Sequence, residues 1–224
     1  MSVWAILAAA GRGDRLGLDR PKAFAPLNDR PLIAESLERL DASEWIDGIV
    51  VAAPPDWEEP SILVAEEVAA GKVAATVTGG ENRSESVRKA LDEVPEEAAV
   101  ILVHDAARPL VTDEVIERVV SALGEGWDGA VPALPVADTV KRVEGEAVAE
   151  TLDREGLVAV QTPQGFIATA LRDALSTLQQ PVPRSPDCAA LVEARGGRVR
   201  VVDGDRRLLK ITEPADLELV ASWL

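Results

Sequence analysis

The first residues whose types and spacing could do chemistry form a glycine-rich loop with two arginines, followed by a lysine. An apolar run at residues 3–10 leads into GRGDRLG at residues 11–17, and Lys22 comes directly after Pro21. Glycines let backbone amides approach phosphate oxygens closely, and several cations can converge on one anion. The pattern therefore predicts a phosphate site, with a tight turn carrying solvated arginines as the alternative.

The loop matches neither of the two common phosphate-binding fingerprints. The dinucleotide-binding motif would place a third glycine where Leu16 stands, and the P-loop would end in glycine, lysine and serine or threonine, which this loop lacks. The loop by itself therefore leaves the two interpretations open, and its surroundings must decide between them.

The elements that position this loop alternate along the chain between apolar strands and helices. Strands are predicted at residues 3–10, 48–53, 74–78, 99–104 and 130–134, and helices at residues 31–40, 57–70, 84–93 and 112–123. This order predicts an α/β fold, a Rossmann-like and mostly parallel twisted sheet with helices on both faces. The glycine loop then lies at the carboxyl end of the first strand, where open α/β sheets bind ligands.

A β-hairpin interrupts this rhythm in the second half of the chain. Residues 139–143 and 147–151 are predicted strands on either side of the turn Glu144-Gly145-Glu146. The insertion, at about residues 137–156, is either an extra sheet edge or an arm that reaches a neighbouring subunit. Beyond it we expect helices at 166–178, 187–195 and 213–224 and strands at 199–203 and 208–211, with residues 1–224 forming a single domain.

The composition limits the partners and the compartment. The formal net charge is −16, so nucleic acid and anionic membranes would be repelled. The apolar run at residues 3–10 is too short to cross a bilayer and no basic residue precedes it, so we expect a cytoplasmic protein. The single cysteine, Cys188, can form neither an internal disulfide nor a zinc cluster and is expected to be a small buried hydrophobe.

A series of ordered motifs carries a resemblance to a known family. AAAGRGDRLG and RPKAF, at residues 8–17 and 20–24, resemble the opening motif of the sugar-nucleotide and polyol-phosphate nucleotidyltransferases. Further motifs are similar to those of the cytidylyltransferases that act on 2-C-methyl-D-erythritol 4-phosphate: GGENRSESV (79–87), VHDAARP (103–109), DTVKR (138–142), DREGL (153–157), QTPQGF (161–166) and LLKITEPADL (208–217). The resemblance implies transfer of CMP from CTP to that polyol phosphate, giving pyrophosphate and 4-diphosphocytidyl-2-C-methyl-D-erythritol, in the non-mevalonate isoprenoid pathway.

This chemistry is attack of a phosphate oxygen on the α-phosphorus of CTP, and it needs cations more than a general base. A phosphomonoester is largely dianionic near pH 7, and pyrophosphate leaves as a stabilised anion. Protein cations and Mg²⁺, or another divalent cation, are therefore expected to offset charge in the transition state. A chain with one histidine, His104, fits this requirement, and a hydrogen-bonded structural role for His104 is favoured over catalysis.

The resemblance also implies roles for individual residues, each with a solvated surface side chain as the alternative. Arg15, Lys22, Arg154 and Lys210 are the expected catalytic cations. The expected CTP site is Ala9, Ala10, Gly11, Gly13, Arg15, Lys22, Gly80, Glu81, Ser86 and Asp105, and the expected polyol-phosphate site is Asp105, Arg108, Thr139, Arg154, Thr162 and Lys210. The nucleotide phosphates are expected to supply most of the metal ligands, and the protein's own metal ligands stay open. Asp105 is expected to contact either the ribose or a metal-bound water.

The segment at residues 79–86 is the expected base site, because it joins a strand to a helix and can present uncharged hydrogen-bonding groups. The resemblance places cytosine here, and discrimination would come from pairing its exocyclic amine and ring carbonyl. Capping of the following helix by Ser84 is the plain alternative to a role of this segment in binding, and Thr112 is predicted to cap the next helix.

The hairpin is expected, by the same resemblance, to embrace a second subunit and complete its active site. This implies an obligate homodimer in which Arg154 acts in trans. The chain departs from the family pattern at Pro186-Asp187-Cys188-Ala189, where a threonine and one carboxylate are missing, so only Asp187 is carried over, as a supporting residue.

Two other functions stay open as alternatives. Ribitol-5-phosphate cytidylyltransferases share the opening loop and the chemistry but take a different polyol, and the motifs DREGL, QTPQGF and LLKIT favour methylerythritol phosphate. The second alternative is a non-catalytic nucleotide-binding module. The presence of all four expected catalytic cations argues against it.

Overall fold

The computed structural model describes residues 1–176, 185 and 187–224. The strands in this part of the chain are β1 (Val3–Ala8), β2 (Pro26–Leu27), β3 (Arg30–Pro31), β4 (Gly48–Ala53), β5 (Val73–Thr78), β6 (Val100–Asp105), β7 (Gly129–Pro135), β8 (Lys141–Glu144), β9 (Ala147–Thr151), β10 (Val158–Val160), β11 (Gln164–Ile167) and β12 (Val199–Asp203). The α-helices are α1 (Leu32–Ala42), α2 (Glu58–Glu67), α3 (Arg83–Leu91), α4 (Asp113–Ser121), α5 (Ala168–Ser176), α6 (Cys188–Ala194) and α7 (Pro214–Ala221).

The central sheet has the order β10-β7-β11-β6-β1-β4-β5, and β12 pairs with β7. Strands β6, β1, β4 and β5 run parallel, as do β12 and β7, whereas β10 and β11 are antiparallel to their neighbours. Strands β4 and β6 are buried along their whole length, because helices cover both faces of the sheet. The predicted fold class is confirmed.

Most of the core lies in two layers, one on each face of the sheet, and β1 shows how the sequence divides between them. Ala5 and Leu7 point to the layer formed with α1, α2 and α4, while Ile6 points to the layer formed with α3, α5 and α6. Successive strand side chains point to opposite faces, so an uninterrupted apolar run serves both layers. None of the helices in the described part of the chain has the length and apolar character needed to cross a membrane.

The QTPQGF motif forms a strand where the sequence predicted the start of a helix. Strand β11 lies between β6 and β7 and is antiparallel to both, and α5 begins only at Ala168. Phe166 and Gly165 fit this slot because Phe166 is fully buried and Gly165 leaves room for Val119. The helical pattern of 166–178 was assigned two residues too early, and its predicted end, Leu178, lies outside the described residues.

The predicted strand at residues 208–211 is not formed. Leu208 and Ile211 are buried, but Ile211 N donates to Ala107 O at 2.8 Å and Leu208 N to Asp205 O at 3.0 Å, so the segment is an irregular connection. Two buried apolar residues three apart resemble a short strand in sequence, yet a strand needs an adjacent strand to pair with. That prediction was wrong for this reason.

Two of the predicted helix caps also differ. Helix α3 is capped by Asn82, whose side chain accepts a hydrogen bond from Glu85 N at 3.1 Å, and Ser84 is already inside the helix. Thr112 stands at the cap position of α4 but makes no capping hydrogen bond with its side chain. Both helices nevertheless begin within one residue of the predicted positions.

The inserted hairpin forms a sheet of its own. Strands β8 and β9 pair only with each other among the described residues, and every residue of both strands is exposed. Val143 and Val148 are each 61% exposed, which leaves an apolar pair on a segment that contributes nothing to the core. Of the two sequence-based alternatives, an extra edge of the central sheet is therefore wrong, and an arm that reaches a neighbouring subunit stays a prediction.

Replacing Phe166 by alanine tests whether the QTPQGF motif contributes its aromatic ring to the core. We expect the free energy of unfolding to fall by about 3–5 kcal/mol, because the ring is fully buried and its removal leaves a cavity. Denaturant unfolding measures this loss, and Ile62→Ala, at a side chain that is 44% exposed, is the control with little change. A loss below about 1 kcal/mol would contradict the placement of β11.

Candidate active site

A cavity of about 780 Å³ opens at the carboxyl edge of the sheet. Its walls come from the loops that follow β1, β4, β5 and β6 and from the segment before α7, so they join both ends of the chain. The predicted residues that line it are Ala9, Ala10, Gly11, Gly13, Lys22, Gly80, Glu81, Ser86, Asp105 and Lys210. This position is the one that open α/β sheets use for ligands.

The glycine loop has a shape that other residues could not adopt at Gly13. Its φ of +76° lies in the left-handed region, and a Cβ there would come within 2.7 Å of Lys22 Cβ. Leu16, which breaks the dinucleotide fingerprint, is buried and packs with Leu110 and Ile211. At the position where the dinucleotide-binding motif has glycine, this loop therefore has a leucine that packs against the rest of the fold.

Lys22 brings a cation into the cavity and ties the opening loop to the far end of the chain. Its Nζ donates a hydrogen bond to Ile211 O at 3.0 Å. Burial lowers the pKa of Lys22, and the charges of Lys210 and Arg15 lower it further. Cations that repel each other in this way form a strong attractive site for an anion, because the anion relieves the repulsion.

Asp105, at the end of β6, lies at the centre of the polar wall. Its Oδ1 accepts from Arg83 Nε at 2.8 Å, and its Oδ2 accepts from Lys210 Nζ at 2.7 Å. Burial would raise the pKa of Asp105, but the two cations outweigh it and hold the pKa well below its usual range. The carboxylate is therefore charged at neutral pH.

His104 is buried and fully hydrogen-bonded. Its Nε2 lies 3.0 Å from Arg108 O and its Nδ1 3.1 Å from the hydroxyl of Thr162, which also accepts from Asp105 N. The carbonyl requires a proton on Nε2, so Nδ1 accepts from Thr162. Burial lowers the pKa of His104 to about 4. The favoured structural role of His104 agrees with these contacts, and Thr162 serves the same network.

The segment after β5 is a compact turn in which Ser86 bonds to its own loop. Gly80 N donates to Ser86 Oγ at 2.9 Å, and that hydroxyl donates to Asn82 O at 2.9 Å. A Cβ on Gly79 would lie 2.3 Å from Ala10 Cβ, so the turn packs directly on the opening loop. The two segments therefore form one continuous wall.

The remaining predicted residues do not line this cavity. Thr139 and Arg154 lie exposed at the two ends of the hairpin region, where Arg154 Nη1 donates to Ala137 O. Arg108 donates to Leu208 O at 2.5 Å and to Val160 O at 3.4 Å, and Arg15 is exposed on the opening loop. Within one chain, the structure brings together Lys210 and the predicted CTP residues other than Arg15, but it leaves the arm residues apart.

Three cations that line the cavity were not among the predicted site residues: Arg12, Arg83 and Lys89. Arg12 was noted as one of the two arginines of the glycine loop, but only Arg15 was given a role. Lys89 Nζ donates to Gly79 O at 3.1 Å and follows Ser86 by one turn of α3, a spacing that puts both on one face. Arg83 carried no signal, because its partner Asp105 is remote in sequence.

The departure at residues 186–189 has a structural consequence on α6. Asp187 caps this helix, accepting from Ala190 N at 2.9 Å and from Gln164 Nε2 at 2.8 Å, so it supports the fold. Cys188 is a buried free thiol, as predicted, and burial raises its pKa. Its Sγ lies 3.2 Å from Arg83 Nη1. Pro186 lies outside the described residues.

This fold and site define an α/β nucleotidyltransferase, and comparison with known proteins gives the family. The sequence model described as 2-C-methyl-D-erythritol 4-phosphate cytidylyltransferase matches residues 3–224. Curated proteins of that name from Nocardia farcinica and Streptomyces avermitilis are 43% and 42% identical, over 100% and 98% of this chain and 94% and 90% of theirs. The chain belongs to the 2-C-methyl-D-erythritol 4-phosphate cytidylyltransferase family.

Solved structures agree with this assignment. The 2-C-methyl-D-erythritol 4-phosphate cytidylyltransferase of Thermus thermophilus is 33% identical with a TM-score of 0.78, covering 100% of this chain and 98% of that one. The enzyme of the same name from Francisella tularensis is 28% identical with a TM-score of 0.83, covering 100% and 99%. The predicted family, and with it the enzyme class, is confirmed.

The buried His104 should make the stability of the protein depend on pH well above the range in which carboxylates titrate. The unfolded chain takes up a proton near pH 6.5, whereas the native imidazole does so only near pH 4. The neutral His104 therefore makes its full contribution to the free energy of unfolding above pH 6.5. This contribution is lost as the pH falls, by about 3 kcal/mol at pH 4. Urea unfolding between pH 7 and pH 4.5, compared with His104→Gln, measures the difference, and parallel curves would contradict it.

Proposed function

We propose that this chain transfers CMP from CTP to 2-C-methyl-D-erythritol 4-phosphate in the non-mevalonate isoprenoid pathway. The observation that carries the proposal is the set of cations around one cavity: Arg12, Lys22, Arg83, Lys89 and Lys210. They slightly outnumber the carboxylates that line the same cavity, in a chain whose net charge is −16. An acidic protein can bind a triphosphate and a phosphate only where local cations offset its overall negative field.

The reaction itself asks little of the protein in proton transfer. An oxygen of the acceptor phosphate forms a bond to the α-phosphorus of CTP, the bond between the α-phosphorus and the bridging oxygen breaks, and pyrophosphate leaves with that electron pair. No proton has to move, since the acceptor oxygen is already ionised near pH 7. A neutral, fully bonded His104 is compatible with such a reaction.

Lys22 and Arg15 are proposed to bind the triphosphate and to stabilise the charge that builds up on the leaving group. Lys22 lies in the cavity wall behind the glycine loop, and Arg15 is close enough to affect its pKa. Backbone groups of Ala9, Ala10, Gly80 and Glu81 are proposed to read the base. The hydroxyl of Ser86 is proposed to hold that wall in shape, which its two bonds within the loop support.

A divalent cation such as Mg²⁺ fits this site as an ion carried mainly by the nucleotide phosphates. In the described residues, no group of three or more histidine, cysteine or acidic side chains could hold a metal by itself. Asp105 is the buried carboxylate at the wall, and each of its oxygens keeps a lone pair beyond the one that accepts from a cation. It could therefore accept a hydrogen bond from a metal-bound water. When bound, Mg²⁺ would offset charge on the triphosphate.

The acceptor side of the site is proposed to be shared between two chains. Lys210 and Asp105 line the cavity, whereas Arg154 and Thr139 are presented on the arm, away from the cavity of their own chain. The exposed Val143 and Val148 give the arm an apolar surface that a second copy could cover. We therefore propose a homodimer in which Arg154 and Thr139 complete the partner's site, with Arg108 and Thr162 holding the wall nearby. A cytoplasmic location is proposed with it, supported by the free thiol of Cys188.

A pyrophosphate-release assay with CTP, UTP, ATP and GTP tests the base, the acceptor and turnover together. With Mg²⁺ and methylerythritol phosphate, CTP should give the highest kcat/KM, by at least about 100-fold, because a wrong base leaves buried polar groups unpaired. Ribitol 5-phosphate is the comparison acceptor and should be used far less well. Equal use of both polyols would contradict the proposed acceptor, and tight CTP binding without pyrophosphate release would indicate a binding module.

Mixing two inactive variants tests whether Arg154 acts in trans. Lys22→Ala and Arg154→Ala should each lower kcat by roughly 100-fold or more, since each removes charge stabilisation from the transition state. In a mixed dimer, one of the two sites would combine Lys22 of one chain with Arg154 of the other. An equimolar mixture should therefore recover about a quarter of the wild-type rate. If the mixture is no more active than its components, Arg154 acts within its own chain.

A further inference from the structure

Arg83 is a largely buried cation in the cavity wall to which the proposed reaction assigns no role of its own. It is the first residue of α3, and its side chain is 20% exposed. One edge of its guanidinium faces Asp105, with Nε 2.8 Å from Oδ1, and Nη1 lies 3.2 Å from Cys188 Sγ. Nη2 is buried and has no hydrogen-bond partner among the described residues. Burying an arginine this way is costly, so its contact with Asp105 needs a reason.

The contacts of Asp105 supply that reason, because this carboxylate joins Arg83 to Lys210. Arg83 holds Oδ1, and Lys210 Nζ lies 2.7 Å from Oδ2, on a side chain that is 43% exposed toward the cavity. The amide of Asp105 is fixed as well, donating to Thr162 Oγ at 3.1 Å. With its backbone and one oxygen held, the carboxylate has one orientation in which to present its other oxygen.

We infer that Arg83 is a positioning residue, which orients the Asp105 carboxylate so that it places the Lys210 ammonium at the cavity wall. The inference rests on the proposed function, in which Lys210 binds the acceptor phosphate. Arg83 itself does not touch the acceptor; it acts through Asp105. Its planar guanidinium suits this task, because one edge can bond the carboxylate while the other packs against the thiol of Cys188.

The charges of the three side chains support the same role. Asp105 and Lys210 alone would form a neutral pair, and Lys210 would interact mainly with the carboxylate. Sharing the carboxylate with Arg83 gives the trio one net positive charge, so that Lys210 remains attractive to an anion. Lys22 and Arg108 also act electrostatically on Asp105, which makes the acceptor side of the cavity more positive still.

A double-mutant cycle tests whether Arg83 works through Asp105. Arg83→Gln should lower kcat/KM for methylerythritol phosphate, measured at saturating CTP and Mg²⁺, by roughly 10- to 100-fold, the effect of losing a charged hydrogen bond. In the Asp105→Asn background, the same change should cost less than about 3-fold, because the group through which it acts is gone. The Lys210→Met background should reduce the cost in the same way.

Further variants keep the result interpretable. Arg83→Lys retains a cation for Asp105 and should lose less activity than Arg83→Gln, and it replaces Arg83→Gln in the cycle if that variant fails to fold. Arg88→Gln, on the same helix but outside the cavity wall, is the matched control and should stay within about twofold of wild type. Thermal unfolding of each variant separates loss of fold from loss of orientation.

Different results would contradict this inference and the proposed function. Equal losses from Arg83→Gln with and without Asp105 would overturn the inference, since Arg83 would then act independently, by direct contact or through general stability. An Arg83→Gln variant with wild-type kcat/KM would overturn it as well. A wild-type protein that shows no pyrophosphate release with methylerythritol phosphate would instead overturn the proposed function.

Discussion

The buried Asp105 carboxylate, held between two cations, is the interaction on which the organisation of this site depends. It brings together the end of β6, the start of α3 and the segment before α7, which are far apart in the chain. A buried carboxylate without partners would be strongly unfavourable, so the fold has to supply both cations at once. The same ion pairs position the Lys210 ammonium at the cavity wall. The placement of charges around the cavity therefore depends on the need to pair a buried carboxylate.

The opening loop is connected to the same structure by apolar contacts. Leu16 packs with Leu110 and Ile211, and Lys22 donates to the carbonyl of Ile211, so the glycine loop and the segment that carries Lys210 contact each other. Packed interiors transmit displacement because they have few voids. We therefore expect a displacement of the loop to reach the segment that carries Lys210. The segments that we propose to bind CTP and the acceptor phosphate thus pack against each other.

The charge distribution explains how an acidic protein accommodates two anionic substrates. At long range the net charge of −16 repels anions, but cations slightly outnumber carboxylates among the groups that line the cavity. An anion there would relieve the repulsion between Lys22 and its neighbours Lys210 and Arg15. Nearby charges in a partly buried site outweigh distant ones that salt and water screen. The single histidine takes no part in this balance, since burial keeps it neutral and its hydrogen bonds are used by the fold.

The sequence by itself determined the α/β class, the position of the glycine loop at the end of β1, the inserted hairpin and many of the cavity residues, Lys22, Asp105 and Lys210 among them. It could do so because strand periodicity, glycine and ordered motifs are local properties, each written in a few adjacent residues. Local signals also misled at Phe166 and at residues 208–211, where burial looked the same for a strand, a helix or a loop. Which strand pairs with which depends on the whole sheet.

Only the tertiary structure decided which charges meet. The role of Arg83 arises from a contact with Asp105, and Lys210 reaches the same carboxylate across 105 positions of sequence. Nothing in the local pattern around Arg83 distinguishes it from a solvated arginine at the start of a helix. The physical reason is that electrostatic interactions depend on distance in space and on burial, and the chain acquires both only when the sheet has formed.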